Sequence, residues 1–331
     1  MVGKPQTDMS VGPPRMVLGQ AAEVGRRCLP MLWRHLPRAV RTRSRWAAPF
    51  NAGALRVGAR PLAQTRMRTG HRMLLDLRSG SEWFAFYTGE FDDSRIAAAQ
   101  RLLTEPGSVA IDAGANIGFW SVPLARRVTD IGGRLIAIEP VPPNAARLRD
   151  NLGLNNLNAV ADIVEAAVSD RDGQGRIVLR EDFAAGAETG NAALEIADGT
   201  DARLPSLPVM LIRLDDLLEQ HYGHVQVRVI KADIEGHEDR FLAGAVQTFS
   251  RCRPVAFLEW NRIYYQRRKV NPTVAVGALL RELSYRCLRN QQGVWTDNAR
   301  FWSPQEIDDL VLVPEEQAAA VRETLTCRAR I

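Results

Sequence analysis

Short apolar runs alternate with stretches of helical spacing along most of this chain. Val109, Ala110 and Ile111 open one run, which continues as D-A-G-A-N-I-G and then F-W-S-V-P-L-A-R-R-V. That pattern predicts a strand, a tight turn and a helix. A second strand is predicted over Arg134 to Ile138, followed by a helix over Asn144 to Leu154. A third strand follows over Ile163 to Val168. Arg176 to Leu179 and Val209 to Arg213 read as a strand pair around a long loop, Glu181 to Leu207, expected to lie over a substrate pocket. Val225 to Ile230 is apolar enough for the centre of a sheet, and the helix after it buries Phe241, Leu242, Ala245 and Phe249. Val255 to Leu258 is the next strand, Val274 to Leu283 a helix, Tyr285 to Leu288 and Leu310 to Val313 the last strands, and Glu315 to Leu325 a terminal helix. Upstream, Met73 to Phe86 reads as a hairpin turning at Ser79-Gly80, before a helix over Ile96 to Leu103 capped by Asp93 or Ser94. Tyr87 and Phe91 either line the mouth of a site there or simply pack. Strands alternating with helices predict an α/β fold around a parallel sheet.

Composition narrows the class. The chain has 331 residues and is 46% hydrophobic, enough for one large α/β domain with an extension. No run approaches the ~18 apolar residues of a membrane span. Cys28, Cys252, Cys287 and Cys327 are scattered, which argues against a disulfide framework or zinc knuckle and for a reducing, cytoplasmic setting. His221 and His224 have no third ligand nearby in sequence. Charge is uneven: residues 1–72 carry 14 Lys/Arg against Asp8 and Glu23, a net of +12, so the +5 of the whole chain leaves −7 for residues 73–331. The expected division is therefore a basic extension, 1–72, and a chemistry-bearing domain, 73–331. Pro30 and Pro37 break the helical spacing of the extension. The plainer expectation for it is a solvated arm or an early start codon. The alternative is peripheral contact of residues 16–45 with an anionic membrane or a nucleic acid.

The chemistry concentrates at strand ends. In D-A-G-A-N-I-G, Gly114 frees the turn and Gly118 lets helix and strand approach. Asn116 stands where a dinucleotide site has its second glycine, and Asp112 would set a carboxylate near a pyrophosphate. A cationic, hydroxyl-rich ligand suits that turn better, and S-adenosylmethionine has both features. Glu139, at the tip of the next strand, suits a ribose diol in either cofactor class. Asp170 is a candidate for the adenine amino group, although D-R-D-G is also a good turn sequence. The second half of the site is K-A-D-I-E-G-H. Lys231, Asp233 and Glu235 share a strand face at the carboxyl end of a central strand, where open α/β sheets bind ligands. His237 begins the next helix, which favours a neutral imidazole that could serve as general base. Beyond Glu259-Trp260-Asn261, R-I-Y-Y-Q-R-R-K interleaves aromatics with cations, as a sugar-gripping or a solvated segment.

Taken together, D-A-G-A-N-I-G, I-E-P, K-A-D-I-E-G-H-E and R-P-V-A-F-L-E resemble the FkbM-type methyltransferases, from about Leu74 to Asn261 and more loosely beyond. The resemblance implies a Rossmann-like class I methyltransferase fold, with a seven-stranded, mostly parallel sheet, helices on both faces and an antiparallel last strand. It implies S-adenosylmethionine as cofactor and O-methylation of a hydroxyl on a sugar, polysaccharide or secondary metabolite. Asp112, Gly114, Asn116 and Gly118 would hold the methionine part, Glu139 the ribose, and Asp233 would sit at the methyl-transfer edge. Attack by a substrate hydroxyl would have Asp233 or His237 taking the proton and Lys231 stabilising the oxyanion. A variant places a divalent metal on Asp233, Glu259 and Asn261. A nucleic-acid methyltransferase is disfavoured, because the chain shows neither an N-P-P-aromatic tetrad after its fourth strand nor a Pro-Cys nucleophile. A non-catalytic S-adenosylmethionine-binding module remains a third alternative.

Overall fold

The computed structural model describes residues 47–327 apart from 180–191, 197–200, 202, 292–293 and 299–306, together with a few positions between 24 and 35. In chain order, α1 (Ala47–Arg56) precedes β1 (Leu62–Arg66), β2 (Arg72–Asp76), α2 (Gly80–Thr88) and α3 (Asp93–Leu102). Then come β3 (Val109–Ala113), α4 (Ser121–Asp130), β4 (Arg134–Ile138), α5 (Pro142–Leu154) and β5 (Ala161–Val164). An excursion leads through β6 (Ala167–Val168), β7 (Gly173–Leu179), β8 (Ala192–Leu194) and β9 (Ser206–Ile212). The chain continues with α6 (Leu214–His221), β10 (Val227–Ala232), α7 (Glu238–Ala243), α8 (Val246–Cys252), β11 (Val255–Asn261), α9 (Arg262–Arg267), α10 (Pro272–Ala275) and α11 (Gly277–Glu282). It ends with β12 (Tyr285–Gln291), β13 (Val294–Asp297), β14 (Ile307–Pro314) and α12 (Ala318–Thr326).

Among the described residues the main sheet has eight strands, in the order β13-β12-β14-β11-β10-β3-β4-β5. The pairings from β11 through β10, β3 and β4 to β5 are parallel. β14 joins β11 antiparallel, and β12 and β13 extend that antiparallel edge. The α/β class and the antiparallel end agree with the sequence, and β13 is one strand more than expected. Chain order runs outward from β3 in both directions, so the switch point lies between β3 and β10, where a ligand crevice forms. Strand parity divides the core. Ala110, Val229, Phe257 and Val311 face one helical layer, whereas Ile111, Ile230, Ala256 and Leu258 face the other.

Three local expectations are corrected. Met73–Phe86 is not a hairpin: β2 pairs with β1 upstream, and Trp83 to Phe86 lie in α2. The missed signal was Ser79-Gly80-Ser81-Glu82, an S-x-x-E helix start. Glu82 is buried and holds α2 down by accepting from the Asp76 N–H (2.6 Å) and pairing with Arg147 of α5 (2.5 Å). At α3 the N-cap is Asp92, whose carboxylate accepts from Arg95 Nε (2.7 Å) and Trp120 Nε1 (2.9 Å), while Asp93 accepts from the Phe91 N–H (3.1 Å). The third strand is two strands. β5 stays in the main sheet, whereas β6 leaves it to pair with β9 in a four-stranded sheet ordered β6-β9-β7-β8.

The β1–β2 pair crosses position 72, and Asn51 Nδ2 donates to the Leu77 carbonyl (2.6 Å), so residues 47–72 pack onto the domain downstream of them. Most of the arm proposed for membrane contact, residues 16–45, lies outside the described residues. Within it, Arg34 donates to Thr65 Oγ1 and to the Phe86 carbonyl, both at 2.7 Å. No described helix is long and apolar enough to cross a membrane.

Candidate active site

The tips of β3, β4, β10 and β11 surround a cavity of about 350 Å³. The turn after β3 is tied to its neighbours by backbone bonds. Gly114 and Ala115 both donate to the Ile138 carbonyl of β4 (2.9 and 3.0 Å), and the Asp233 N–H donates to the Ala113 carbonyl (3.0 Å). Gly114 has φ +74°, and a Cβ there would lie 1.9 Å from the Asp233 carbonyl oxygen. The two halves read from sequence therefore meet at this glycine, and no side chain fits between them.

Gly114, Asn116, Glu139, Asp233, Glu235 and His237 line the cavity. Glu139 accepts from the backbone N–H of Asn116 (2.8 Å) and of Val141 (2.9 Å) and from Asn144 Nδ2 (3.5 Å). Burial pushes its carboxyl up to about 7 against the pull of those donors. Asn116 Oδ1 and Asn144 Oδ1 are buried without a hydrogen-bond partner. Sequence inspection missed Asn144, whose signal was its position on the first turn after the Glu139 tip. Those two orphaned oxygens are acceptors awaiting donors, and with the Glu139 carboxyl beside them they make a set that fits hydroxyl and amino groups.

Asp112, Gly118 and Lys231 stand off the wall of the cavity. Asp112 is buried, accepts from Ser121 Oγ at the start of α4 (2.6 Å), and has its carboxyl raised to about 6, chiefly by burial. It braces the turn and does not face the ligand space. Lys231 sits beside it in register. It is 2% exposed, its Nζ is 5.7 Å from the centre of the Trp120 ring, and it has no hydrogen-bond partner. The nearest charge in contact is Asp233 Oδ2, at 3.6 Å. Asp170 is exposed on the turn after β6, bonded to Ser169 Oγ (3.0 Å), and the nearby wall is instead Ala166, Ala167 and Val168. β7 and β8 add Ile177, Ala192 and Leu194, so part of the long segment expected over the pocket does form its apolar wall. Much of the remainder of that segment lies outside the described residues. Phe91 lines the cavity, stacked on Phe119 (3.9 Å, 6°), while Tyr87 is buried in the core.

Glu259, from β11, completes the acidic end. One carboxylate oxygen each from Asp233, Glu235 and Glu259 lie within 4.8 Å of one another. Burial, followed by repulsion from Asp233 and Glu259, pushes the Glu235 carboxyl up. Repulsion from Asp233, followed by burial, does the same to Glu259. Glu235 reaches this position with φ +52°, a left-handed conformation that costs a side-chain-bearing residue about 1 kcal/mol. Asn261 does not complete the metal set expected from sequence. Its Oδ1 accepts from the Ile263 N–H (3.2 Å) as the N-cap of α9, and its Nδ2 donates to Glu235 (3.3 Å). His237 is buried and neutral as expected, but burial and then Arg268 push its imidazole down to about 3, too weak for a base at neutral pH.

Comparison with known proteins identifies the family. The model of the methyltransferase FkbM domain matches residues 112–287, more than half of the chain. None of the curated proteins matches the sequence. Among solved structures, a methyltransferase FkbM from Methylobacillus flagellatus KT is similar with 16% identity and a TM-score of 0.39, over 82% of this chain and 59% of that one. This chain thus spans less than two thirds of that protein. M. jannaschii TYW2 in complex with AdoMet is similar with 14% identity and a TM-score of 0.39, over 77% of this chain and 85% of that one. A SAM-dependent O-methyltransferase from Thermotoga maritima is similar with 12% identity and a TM-score of 0.36, over 80% and 81%. With its motifs lodged at the strand tips of an α/β sheet, the chain belongs to the methyltransferase FkbM family.

Proposed function

We propose that this chain is an O-methyltransferase acting on a hydroxyl of a sugar, polysaccharide or secondary metabolite. One observation carries the proposal: Lys231 and three carboxylates converge at the carboxyl ends of β10 and β11, against the turn of the cofactor motif. S-adenosylmethionine, when bound, supplies an electrophilic methyl on a positively charged sulfur. Glu139, Asn116 and Asn144 are the residues to hold its hydroxyl and amino groups, and Ala166, Ala167 and Val168 offer an apolar wall for a purine.

The protein's part in the transfer is alignment and proton removal. Asp233 accepts the proton of the acceptor hydroxyl. Glu235 and Glu259, with carboxyls pushed up by burial and by Asp233, hold that proton within the acidic set near neutral pH. Lys231, 3.6 Å from Asp233 and short of a hydrogen-bond partner, lies behind the cavity wall and acts through Asp233, supplying positive charge beside its carboxylate. His237 remains a neutral wall residue. Four carboxylates on the cavity surface favour an uncharged hydroxyl acceptor over a phosphate-rich one, which counts against a nucleic-acid substrate.

The test is transfer of labelled methyl from S-adenosylmethionine to a panel of sugars and polyols, with RNA in parallel. Asp233→Asn is expected to lower the rate about 10²–10⁴-fold with cofactor binding retained. Labelling of RNA instead, or no labelling of any acceptor by a protein that binds the cofactor, would favour the alternatives. A divalent cation on Asp233, Glu235 and Glu259 is a second form, supported by their mutual closeness. Lys231 already gives Asp233 a positive neighbour, so the cation-free form is preferred. Chelation with EDTA should leave the rate unchanged, and loss that magnesium restores would establish the metal.

A further inference from the structure

Carboxylates gathered within 4.8 Å resist assembly, and the shared proton and Lys231 only partly offset this, so the segment that carries two of them needs support from outside the cavity. Asp233 and Glu235 lie on the five-residue segment between β10 and α7, where Glu235 (φ +52°) and Gly236 (φ +81°) are both left-handed. The segment lies hard against α9, because a Cβ on Gly236 would sit 2.2 Å from Tyr264 Cβ.

Side chains that do not line the cavity fix it there. Glu238 is fully buried at the start of α7, and its Oε1 accepts from the Gly236 N–H (3.2 Å). Its Oε2 accepts from the Tyr265 hydroxyl (2.8 Å), which in turn accepts from the Asp239 N–H (3.2 Å). Arg268 grips Asp239 with two bonds (2.7 and 2.9 Å) and also donates to the Gly236 carbonyl. Both backbone polar groups of Gly236 are thus held by side chains. Tyr265 is itself fixed, stacked on Trp260 (4.2 Å, 16°) with the Arg268 guanidinium 5.6 Å from its ring centre. Trp260 is the neighbour of Glu259 on β11, so one strand presents the third carboxylate and seats the anchor for the other two.

We infer that Glu238 and Tyr265 are positioning residues, which with Arg268 lock the 233–237 segment in the shape that gathers Asp233 and Glu235 beside Glu259. The inference rests on the methyltransferase assignment only in what the gathered charges are for: a cluster of carboxylates favours a ligand with a positive sulfur over the same ligand with a neutral one.

The experiment compares S-adenosylmethionine with S-adenosylhomocysteine, which keeps the nucleoside and amino-acid parts but carries an uncharged thioether. Dissociation constants for both are measured by calorimetry on the full chain, its Tyr265→Phe, Glu238→Ala and Glu238→Gln variants, with unfolding temperatures alongside. Freeing the segment should cut the preference for the charged ligand about tenfold in Tyr265→Phe and Glu238→Ala, the scale of one lost hydrogen bond to a charged group. Glu238→Gln keeps an acceptor for Gly236 and a polar partner for Tyr265, and should hold the preference within about threefold. Lower unfolding temperatures with an unchanged preference would reduce both residues to a structural role and overturn the inference. If the unaltered chain binds neither ligand, the methyltransferase assignment fails instead. Amide hydrogen exchange then decides the lock. Exchange about tenfold faster over residues 233–237 in Tyr265→Phe, with the rest of the chain unchanged, supports it, and equal rates refute it.

Discussion

Gly114→Ala tests whether the cofactor turn and the acidic segment need to touch. Two costs are separable. The first is the left-handed backbone at φ +74°, worth about 1 kcal/mol for any residue with a side chain. Gly107 has the same φ of +74° with nothing within 4 Å of its virtual Cβ, so Gly107→Ala measures that cost alone. The second is the contact: the new methyl would lie 1.9 Å from the Asp233 carbonyl oxygen, where ordinary contact begins at 3.4 Å. The segments must part by about 1.5 Å, which breaks the 3.0 Å bond from the Asp233 N–H to the Ala113 carbonyl and costs about 1 kcal/mol more before repacking. Thermal unfolding should show Gly107→Ala lowered by about 2 °C and Gly114→Ala by about 4 °C. Affinity for S-adenosylmethionine, read by calorimetry, should be normal in Gly107→Ala and down about 10²-fold in Gly114→Ala, because a displacement above an ångström spoils a preorganised site. Equal unfolding temperatures in the two variants, with Gly114→Ala binding within about threefold of the unaltered chain, would refute the reasoning.

Other consequences arise from buried charge. The Glu139 carboxyl stands at about 7 in the fold against an ordinary 4.5, so the folded state holds its proton more tightly than the unfolded chain. The stability this contributes is complete below about pH 4.5 and is lost as pH rises through about 7. The unfolding temperature of the ligand-free protein should therefore fall between pH 5 and pH 8, and Glu139→Gln should make that slope shallower, the remainder coming from other carboxyls raised in the fold, among them Asp112, Glu235 and Glu259; an equally steep slope in the variant would exclude Glu139 as a contributor. At the base of α2, Arg147→Ala leaves the Glu82 carboxylate buried without its cation. Urea unfolding should show a loss of about 3 kcal/mol, and a loss under about 0.5 kcal/mol would mean that the pair does not hold α2 to α5.

What could be read from sequence was what sits in contiguous motifs. D-A-G-A-N-I-G and K-A-D-I-E-G-H each pack a strand end and its reactive side chains into a few residues, and both line the cavity. Asp112 shows the limit of that reading. An acid at a strand tip looks available to a ligand, but strand parity turns this one to the face it shares with Lys231, where Ser121 satisfies it. The break between β5 and β6 was invisible because Ile163 to Val168 reads as one strand, and its division depends on β9 drawing Ala167 and Val168 away. For the same reason Asp170 finished on an outer turn. β8 is three residues in an alanine- and glycine-rich stretch, with no periodicity to announce a cavity wall. The meeting of Glu235 with Glu259 depends on a left-handed residue that no local signal demanded, since glutamate rarely adopts that conformation.

The central claim is that the turn from Gly114 to Gly118 and the Glu139 tip cradle S-adenosylmethionine. The most direct measurement is calorimetry of the full chain titrated with S-adenosylmethionine, with NAD in a parallel cell. Micromolar binding of S-adenosylmethionine and silence toward NAD is the expected result. Binding of NAD in its place, or of neither ligand, would contradict the account and leave the family membership as a statement about fold alone.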